Sequence, residues 1–373
     1  MKALRYHASI PRYLLAGRLG KRYPVPWLPL KLAELQLPEP PPGWRRVAVR
    51  LAGICGSDLA LLFGKNSPRL APFFSFPAVL GHEVVGEVEG VRVALNPLIA
   101  CRERGFAPCA ACRQGHDNIC LNLTQGALAP GFIGYCRDLP GGWGEALIAP
   151  EERLIPIADG IPDERAVLLE PLAVVRRGLR LAFTAWPQRL LVVGMGSIGL
   201  LTIKALRLLG FAGELHAVAR YPAQAAMARQ LGASQVHAAT AEAAAAVGAS
   251  KHPALIGPPA WRGGFEAVID AAGSGASLDE AAWATREGGT LLLLGAPGNL
   301  RHDFSPYWFR EVRLVGSFAG APQDFSEAAA LLPDAKGLEA IVTHRFALSA
   351  WPQALGTLRS RRALKVVFDP RLS

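Results

Sequence analysis

The sequence predicts an α/β protein in which a doubly wound parallel sheet is joined to a mostly β domain. From about residue 173 to 317, short apolar runs alternate with helical periodicity, which is typical of a parallel sheet with helices on both faces. Residues 1 to about 172 instead contain many prolines and glycines between short runs of strand-forming residues. The last part of the chain adds a helix near Phe325–Leu332 and a final strand over Ala363–Phe368.

Each element of this fold follows from its own local pattern. Apolar or alternating runs predict strands over Arg46–Leu51, Val84–Val88, Arg92–Leu95, Leu190–Val193, Leu215–Ala219, Phe265–Ile269 and Thr290–Leu294. Helical periodicity predicts helices over Val174–Ala182, over Ile198–Leu209 with Gly210 as its stop, over Ala223–Leu231 with Gly232 as its stop, and over the alanine-rich Ala238–Ala249.

Length and composition exclude several classes of protein. A chain of 373 residues with 51% hydrophobic residues can build two cores and is not disordered. No apolar run reaches the roughly 18–20 residues that a membrane helix needs, and no signal peptide is recognisable. We therefore expect a cytoplasmic protein whose cysteines do not form disulfides.

The net charge of +10 comes largely from residues 1–50, which hold ten Lys and Arg against Glu34 and Glu39. These cations are scattered among prolines and aliphatic residues and match no nucleic-acid-binding motif. A solvated basic surface is the favoured interpretation, and an anionic substrate or partner is the alternative.

A glycine-rich turn predicts a dinucleotide site. Gly194, Gly196 and Gly199 form a GxGxxG motif, with Ser197 and Ile198 at its helical end, directly after a buried strand and at the start of a helix. The first glycine permits the tight turn, the second lets the backbone approach a pyrophosphate, and the third lets the helix pack on the strand. The helix N-terminus then offers N–H groups and a positive dipole to the phosphates. The pattern indicates a Rossmann fold.

The residue that follows the second strand indicates which nicotinamide cofactor is bound. An Asp or Glu is expected about 20 residues after the last glycine when the ribose carries a free 2′-hydroxyl, as in NAD. The sequence has Ala219 there, followed by Arg220. Alanine leaves space and arginine can pair with a 2′-phosphate, so NADP is favoured over NAD, although Arg220 could also be an ordinary surface cation.

Four cysteines within 20 residues predict a metal site. Cys101, Cys109, Cys112 and Cys120 have the spacing C-x7-C-x2-C-x7-C. Four thiolates suit a closed, tetrahedral structural zinc that holds an irregular loop without a core of its own. The rival interpretation, a zinc-ribbon nucleic-acid-binding module, usually requires two CxxC pairs, and only one is present.

A second, dispersed set of residues predicts an open metal site. Cys55 stands in GICGSD, His82 in GHEVVG and Glu170 in LEPL. A cysteine, a histidine and a carboxylate can bind zinc through three ligands and leave the fourth position for water or substrate. Spacing alone leaves open that Cys55 and His82 are ordinary structural residues.

In these motifs taken together, the sequence resembles the zinc-containing medium-chain dehydrogenases of the alcohol dehydrogenase superfamily. It is most similar to the branch that includes threonine, sorbitol and glucose dehydrogenases. The resemblance runs from about Met1 to Phe368. It rests on GICGSD, GHEVVGEVEG, the four-cysteine segment, GGWGEALIAP at 141–150, LLEPLAV, GMGSIG and FEAVIDAAGSGASL.

The resemblance implies roles for individual residues of the open site. Cys55 and His82 resemble two ligands of a catalytic zinc, and Glu83 resembles the acid that binds the same ion directly or through water. Glu170 resembles the carboxylate that replaces a third cysteine in this branch.

Three further roles are implied around those ligands. Asp58 resembles the acid that orients the ligating histidine. Ser57 resembles the hydroxyl that takes the proton of the substrate. Lys365, in LKVVF, stands where the family often places a basic residue near the pyrophosphate of the cofactor.

The sequence departs from the family at three places. The family often has a histidine three residues after the serine to carry the proton outward, and Ala60 stands there. The cysteine segment usually begins C-x2-C, whereas here Arg102–Pro108 stretch the first spacing and make Cys101 the least certain ligand. The segment before Pro38 is longer than usual.

The resemblance implies a discontinuous GroES-like catalytic domain over 1–172 and 318–373, and a Rossmann domain over 173–317. We expect a zinc-dependent oxidoreductase that transfers hydride between an alcohol or polyol, or the matching carbonyl compound, and a nicotinamide cofactor. It would bind one catalytic and one structural zinc and form a dimer or tetramer, with no nucleic acid or membrane as partner. The alternatives are a zinc-free enoyl or quinone reductase of the same fold and a zinc-ribbon nucleic-acid-binding protein.

Overall fold

The computed structural model describes residues 1–372 and divides the chain into two compact units. One unit contains Met1–Glu170 together with the chain from Gly320 onward, and the other contains Pro171–Ala319. The expected boundaries were 172/173 and 317/318, so each observed boundary differs from the expected one by two residues.

The strands are, in chain order, β1 (Lys2–Tyr6), β2 (Leu30–Glu34), β3 (Trp44–Gly53), β4 (Ala78–Val79), β5 (Val84–Val88), β6 (Val91–Leu95), β7 (Ala146–Pro150), β8 (Leu154–Pro156), β9 (Arg189–Val193), β10 (Glu214–Val218), β11 (Gln235–His237), β12 (Ser250–His252), β13 (Ala260–Arg262), β14 (Phe265–Asp270), β15 (Thr285–Leu293), β16 (Arg313–Gly316), β17 (Val342–Phe346) and β18 (Lys365–Phe368).

The α-helices are, in chain order, α1 (Ile10–Leu19), α2 (Gly56–Leu62), α3 (Ala110–Arg113), α4 (Asp163–Ala166), α5 (Leu169–Ala182), α6 (Ser197–Leu208), α7 (Pro222–Leu231), α8 (Thr240–Ala246), α9 (Gly275–Ala284), α10 (Ser305–Phe309), α11 (Pro322–Leu331) and α12 (Trp351–Arg359).

The unit over 171–319 is built on a six-stranded parallel sheet with the order β11-β10-β9-β14-β15-β16. Its central strands are apolar because both faces are covered, and Leu191, Val268 and Leu291 are fully buried. The strand order reverses direction at β9, the strand that carries the glycine motif at its carboxyl end. This arrangement confirms the predicted doubly wound parallel sheet.

Three features of this unit differ from the sequence-based predictions. The alanine-rich helix was predicted over Ala238–Ala249, but α8 ends at Ala246 because Gly248 adopts a positive φ of 80°. The chain then forms an antiparallel pair of β12 with β13, which periodicity did not predict. Strand β15 begins at Thr285, five residues before the predicted start at Thr290, because Thr285 pairs with Phe265 of β14 ahead of an irregularity in the register.

The other unit contains a seven-stranded sheet with the order β17-β18-β3-β5-β6-β8, in which β7 also pairs with β3. The last strand, β18, pairs antiparallel with the end of β3, so that Val367 lies opposite Gly53. This pairing explains why the unit is discontinuous: its sheet is completed by a strand that follows the parallel-sheet unit in the chain. A separate three-stranded sheet has the order β2-β1-β4.

The long N-terminal segment forms helix α1 and two short 3₁₀ turns before β2. The hydroxyl of Tyr13 donates a hydrogen bond to the carbonyl oxygen of Asn66. Gly17 lies so close to Gly64 that a Cβ atom there would come within 2.8 Å of the Gly64 carbonyl oxygen. Helix α1 is therefore held against the loop that follows α2, the helix on which several predicted site residues lie.

Within residues 1–372, no helix combines the length and the apolar character that crossing a bilayer would require.

Candidate active site and metal centres

Cys55 lies where strand β3 gives way to helix α2. It is the N-cap residue of α2, and its backbone N–H donates to Oδ2 of Asp58 at 2.9 Å, which satisfies one of the free N–H groups at the start of the helix. Asp58 is completely buried. The first turn of α2 therefore places the Cys55 thiol and a buried carboxylate side by side.

His82 and Glu83 lie between β4 and β5, and two glycines allow them to approach Cys55. Gly81 has a φ of 94°, and a Cβ atom there would overlap the ring of Trp143. The N–H of Gly53 donates to the carbonyl oxygen of Glu83 at 2.7 Å, and a Cβ atom on Gly53 would overlap the Glu83 carboxylate. The glycines of GIC and GHE are thus required by close packing between the two segments.

The structure brings three of the predicted ligands together. The sulfur of Cys55, a ring nitrogen of His82 and a carboxylate oxygen of Glu83 all lie within 4.8 Å of one another. Nδ1 of His82 is 3.7 Å from Oδ1 of Asp58, which places Asp58 on the side of the ring where an orienting acid is expected.

Glu170, the fourth predicted ligand, stands outside this 4.8 Å group but is buried beside it. It lies in the first turn of α5 and is 7% exposed. Burial raises the pKa of its carboxyl group to about 7, the positive field of His82 opposes this increase, and the negative field of Glu83 adds to it. Glu170 therefore adds a second carboxyl group to the surroundings of His82 and Glu83.

Lys365 has a different environment from the one that the family resemblance implied. Its ammonium group is 3% exposed and forms an ion pair with the carboxylate of Glu83. Burial alone would lower the pKa of Lys365, but the carboxylate of Glu83, together with Cys55 and Glu170, outweighs this effect and raises it. Lys365 belongs to the Cys55–His82–Glu83 cluster in this structure, and its contact with a cofactor pyrophosphate stays a prediction.

The donor set of this cluster fits zinc. A thiol, an imidazole and carboxylates are all zinc ligands, and three protein ligands leave one position for an exchangeable group. The pKa of His82 is raised well above its usual value: burial opposes the charged ring, but Asp58, Cys55 and Glu170 stabilise it. The acidic groups around His82 thus favour a positive charge at this position. A bound zinc ion would provide that charge, and the ring of His82 would then stay neutral.

Tyr135 is a residue of this site that the sequence reasoning missed. Its hydroxyl lies 2.9 Å from Oδ1 of Asp58 and 3.3 Å from Oγ of Ser57. It is 3% exposed and stands 53 residues after His82 in the chain, outside the motifs on which the predictions rested. No spacing signal could have identified it, because its position depends on how the loop over 131–135 folds against the segment that carries His82.

The four cysteines of the second predicted metal site also converge. The sulfur atoms of Cys101, Cys109, Cys112 and Cys120 all lie within 4.8 Å of one another. Backbone N–H groups point at these sulfurs, as from Cys109 to Cys101 at 3.2 Å. Cys101, which the stretched spacing made the least certain member, is fully part of the cluster.

The inserted Arg102–Pro108 segment reaches this geometry because Arg104 anchors it. The Arg104 side chain is buried, and its guanidinium donates to the carbonyl oxygens of Leu128 at 2.9 Å and Gly131 at 2.6 Å. Next to it, Glu103 accepts hydrogen bonds from the N–H of Ala100 and from Arg153. The hydrogen bonds of Glu103 and Arg104 therefore fix the first residues of the insertion, and Cys101 stays close to the other cysteines.

The chemistry of this cysteine cluster also fits a divalent cation. Burial tends to raise the pKa of Cys109, but hydrogen bonds from the backbone of Cys112 and Leu121 outweigh it and lower that pKa to about 6. Burial raises the pKa of Cys120 to about 11. Four adjacent sulfurs therefore do not all ionise near neutral pH by themselves, whereas zinc stabilises four thiolates together.

The glycine motif of the parallel-sheet unit has the geometry that a dinucleotide site requires. Gly194 has a φ of 95°, and a Cβ atom there would lie 2.6 Å from Cβ of Ala272. A Cβ atom on Gly199 would overlap the carbonyl oxygen of Gly194, whereas one on Gly196 would meet no other atom of residues 1–372 within 4 Å. The turn is tight and well packed, and the space in front of Gly196 at the N-terminus of α6 fits a pyrophosphate.

Arg220 follows β10 at the predicted position. Its side chain is 64% exposed, and its guanidinium lies 3.9 Å from the carboxylate of Glu280, a distance at the limit of an ion pair. Ala219 is buried, and its N–H donates to the carbonyl oxygen of His237. The Arg220 side chain is thus accessible to an anionic ligand.

The fold and these two kinds of site define a zinc-type, nicotinamide-dependent alcohol dehydrogenase architecture. Residues 41–159 match the family model of the alcohol dehydrogenase GroES-like domain, and residues 197–334 match that of the zinc-binding dehydrogenases. The chain is 30% identical over 328 residues to the L-galactonate-5-dehydrogenase of Escherichia coli, covering 84% of this chain and 87% of that protein. The chain therefore belongs to the zinc-type medium-chain dehydrogenase/reductase family.

Two further comparisons agree with this assignment. An L-threonine 3-dehydrogenase of Anaeromyxobacter dehalogenans is 28% identical, with 89% of this chain and 93% of that protein covered. A zinc-binding dehydrogenase of Sinorhizobium meliloti, solved with bound NADP, superposes with a TM-score of 0.76 at 26% identity and covers 99% of both chains. The family membership confirms the predicted alcohol or polyol oxidoreductase activity and its use of zinc and a nicotinamide cofactor.

The packing of the glycine motif leads to a paired prediction. Gly199→Ala should lower the free energy of unfolding by about 1–3 kcal/mol, because the added methyl group overlaps the Gly194 carbonyl oxygen. Gly196→Ala should change it by at most about 1 kcal/mol, the scale of an N-cap replacement, but should weaken NADPH binding. Urea unfolding and fluorescence titration with NADPH measure the two effects. Parent-like unfolding of Gly199→Ala, or parent-like NADPH affinity of Gly196→Ala, would contradict the assignment.

Proposed function

We propose that this chain oxidises a secondary alcohol of a small polar compound, or reduces the matching ketone, with NADP as its preferred cofactor. The observation that carries the proposal is the convergence of Cys55, His82 and Glu83 within 4.8 Å beside the buried Asp58. The names of two relatives, an L-galactonate-5-dehydrogenase and an L-threonine 3-dehydrogenase, both specify oxidation at an internal carbon atom.

In this proposal the two metal centres have different tasks. The Cys55 cluster, with Glu170 beside it, would hold the catalytic zinc, because three protein ligands leave a position for substrate. Cys101, Cys109, Cys112 and Cys120 would hold a structural zinc, because four thiolates close the coordination sphere. Zinc-free enoyl or quinone reductase chemistry is not favoured, since such an enzyme needs neither donor set.

The residues of the chain then have distinct parts in the reaction. Bound zinc would supply Lewis acidity that lowers the pKa of the alcohol, and the nicotinamide would accept the hydride. Ser57 would accept the hydrogen bond of the alcohol hydroxyl, and Asp58 would hold the ring of His82 in the orientation for metal binding. Lys365 would balance the negative charge of Glu83 when zinc is not bound.

The preference for NADP rests on the chemistry of the residues after β10. Ala219 offers no carboxylate to a ribose 2′-hydroxyl, and Arg220 is exposed and able to pair with a 2′-phosphate. The proposal includes a dimer or tetramer of this chain, because β16 leaves one edge of the six-stranded sheet unpaired within residues 1–372.

A substrate panel tests the proposed activity directly. Zinc-loaded protein would be assayed with primary alcohols, secondary alcohols, polyols, aldoses and sugar acids, each with NADP and with NAD, and NADPH or NADH formation would be followed. The proposal expects the highest kcat/KM with a secondary alcohol and NADP. Turnover confined to primary alcohols, or the absence of any turnover in either direction, would contradict it.

The first prediction of this proposal concerns metal content. The parent protein should contain about two zinc ions per chain, one for each donor set. Cys55→Ala should lose one zinc and the activity but keep the fold, and Cys112→Ala should lose the other zinc and unfold more easily, because closed sites contribute folding energy. Metal analysis by mass spectrometry and thermal unfolding provide the measurements.

The matched control is Cys136→Ala. Cys136 is a fully buried cysteine outside both clusters, with its thiol near the carbonyl oxygen of Ala129, so its removal should leave both zinc ions in place. Fully active parent protein with at most one zinc per chain would refute the proposed division of the two centres.

The second prediction concerns the cofactor. Arg220→Ala should weaken NADP binding by about 1.5–3 kcal/mol, the scale of a charge-assisted hydrogen bond, and should hardly affect NAD. Arg229→Ala, an exposed arginine at the end of α7, is the matched control and should leave both affinities unchanged. Dissociation constants for NADPH and NADH measure the effect. Equal or better kcat/KM with NAD in the parent protein would show that the preference is absent.

A further inference from the structure

Ala60 stands where the family often has a histidine that carries the proton outward, so position 60 of α2 offers no side chain that could receive a proton from Ser57. A serine hydroxyl has one hydrogen and two lone pairs, and it can accept a hydrogen bond from an alcohol only if its own hydrogen points elsewhere. A second hydroxyl, that of Tyr135, lies 3.3 Å from Oγ of Ser57. In a hydrogen bond between them, one of the two hydroxyls donates and the other accepts.

The surroundings of Asp58 decide the direction of these hydrogen bonds. Its Oδ2 accepts from the N–H of Cys55 at 2.9 Å, and its Oδ1 faces Nδ1 of His82 at 3.7 Å and the Tyr135 hydroxyl at 2.9 Å. The Cys55 N–H can only donate, and Nδ1 of His82 lies beyond hydrogen-bond distance, so the carboxylate accepts from Cys55 and Oδ1 is available to accept from Tyr135. The phenol has a single hydrogen and gives it to Oδ1 of Asp58, which at 2.9 Å is nearer than Oγ of Ser57 at 3.3 Å. Its oxygen is then free to accept from Ser57.

We propose that Tyr135 is a positioning residue that fixes the direction of the Ser57 hydroxyl. The Ser57 hydroxyl donates to the phenol oxygen of Tyr135, which donates to Asp58, so the lone pairs of Ser57 face the position of the alcohol. This inference rests on the proposed role of Ser57 toward an alcohol. In this inference Tyr135 accepts the hydrogen of the Ser57 hydroxyl, which Ala60 on α2 cannot do.

The ring of Tyr135 is held in place from several sides. Its centroid lies 5.2 Å from that of Phe74, 5.1 Å from that of Phe132 and 5.5 Å from that of the His82 ring. These contacts fill the space into which the ring could swing. The phenol oxygen therefore stays near Ser57 and Asp58.

The backbone on either side of this ring is equally constrained. Gly134 has a φ of 91°, and a Cβ atom there would come within 2.9 Å of the carbonyl oxygen of Gly81, the residue before His82. The carbonyl oxygen of Tyr135 accepts from the N–H of Ser75 at 3.2 Å. The loop that carries Tyr135 is thus packed closely against the segment that carries His82.

A double-mutant cycle tests whether Tyr135 acts through Ser57. The variants are Tyr135→Phe, Ser57→Ala and the pair, all as the zinc-loaded 373-residue chain in the presence of NADP, the cofactor form that would accept hydride from an alcohol. Saturable binding of 2,2,2-trifluoroethanol, an alcohol that resists oxidation, is measured by calorimetry. Tyr135→Phe should weaken this binding about tenfold in the parent and less than twofold in the Ser57→Ala background, because the two changes remove one shared arrangement.

Two controls separate positioning from support of the fold. Tyr6→Phe removes a hydroxyl from another buried tyrosine, which meets Phe76 edge-on at 4.9 Å, and it should leave trifluoroethanol binding unchanged. Zinc content and thermal unfolding of Tyr135→Phe should match those of the parent. Loss of zinc from Tyr135→Phe would overturn the inference, because the tyrosine would then serve the metal site through Asp58 and His82.

The remaining outcomes distinguish this inference from the proposed function. Parent-like binding by Tyr135→Phe together with weakened binding by Ser57→Ala would overturn the inference and leave the role of Ser57 intact. Equal losses from Tyr135→Phe in both backgrounds would also overturn it. Parent-like binding by Ser57→Ala would reject the role of Ser57 toward the alcohol, and the inference with it, but would leave an alcohol site beside the metal cluster. No saturable binding by the parent protein would remove the alcohol site itself and so reject the proposed function together with the inference.

Discussion

The buried carboxylate of Asp58 is the group around which the active-site side chains are arranged. Burying an ionised carboxylate is costly unless hydrogen-bond donors surround it. Here two donors come from separate parts of the chain, the N–H of Cys55 and the hydroxyl of Tyr135, and the ring of His82 lies within ion-pair distance at 3.7 Å. Satisfying one carboxylate therefore fixes the relative positions of helix α2, the segment before β5 and the loop that carries Tyr135.

The charges next to this carboxylate explain why the cluster suits a metal ion. Glu83 is paired with Lys365, and burial raises the pKa of Glu170 to about 7 although His82 and Lys365 oppose the increase. A dication among the thiol, the imidazole and the carboxylates would favour the ionised form of each, since an adjacent positive charge lowers the pKa of an acid. The packing that buries these groups thus also concentrates acidic side chains where a cation would balance them.

The parts of this architecture that could be predicted from sequence are those whose cause is local. The GMGSIG turn, the CxxC pair and the helix stop at Gly232 follow from backbone conformation or from ligand spacing over a few residues. Tyr135 and the Lys365–Glu83 ion pair arise from contacts between distant segments, and periodicity carries no information about them. The β12–β13 pair was missed because its short strands alternate with prolines and glycines that indicate a loop.

The cysteine cluster shows how a departure from a family pattern is accommodated physically. Lengthening a loop by a few residues adds little closure entropy, so the seven residues between Cys101 and Cys109 cost less than the broken motif suggests. What the longer loop needs is a fixed path, and Arg104 supplies it by donating to carbonyl oxygens over residues 125–131. Those carbonyls belong to the chain that leads directly into Tyr135. The buried guanidinium of Arg104 therefore connects the cysteine loop to the loop that holds the phenol of Tyr135 beside Ser57. The longer spacing after Cys101 and the position of Tyr135 thus depend on the same side chain.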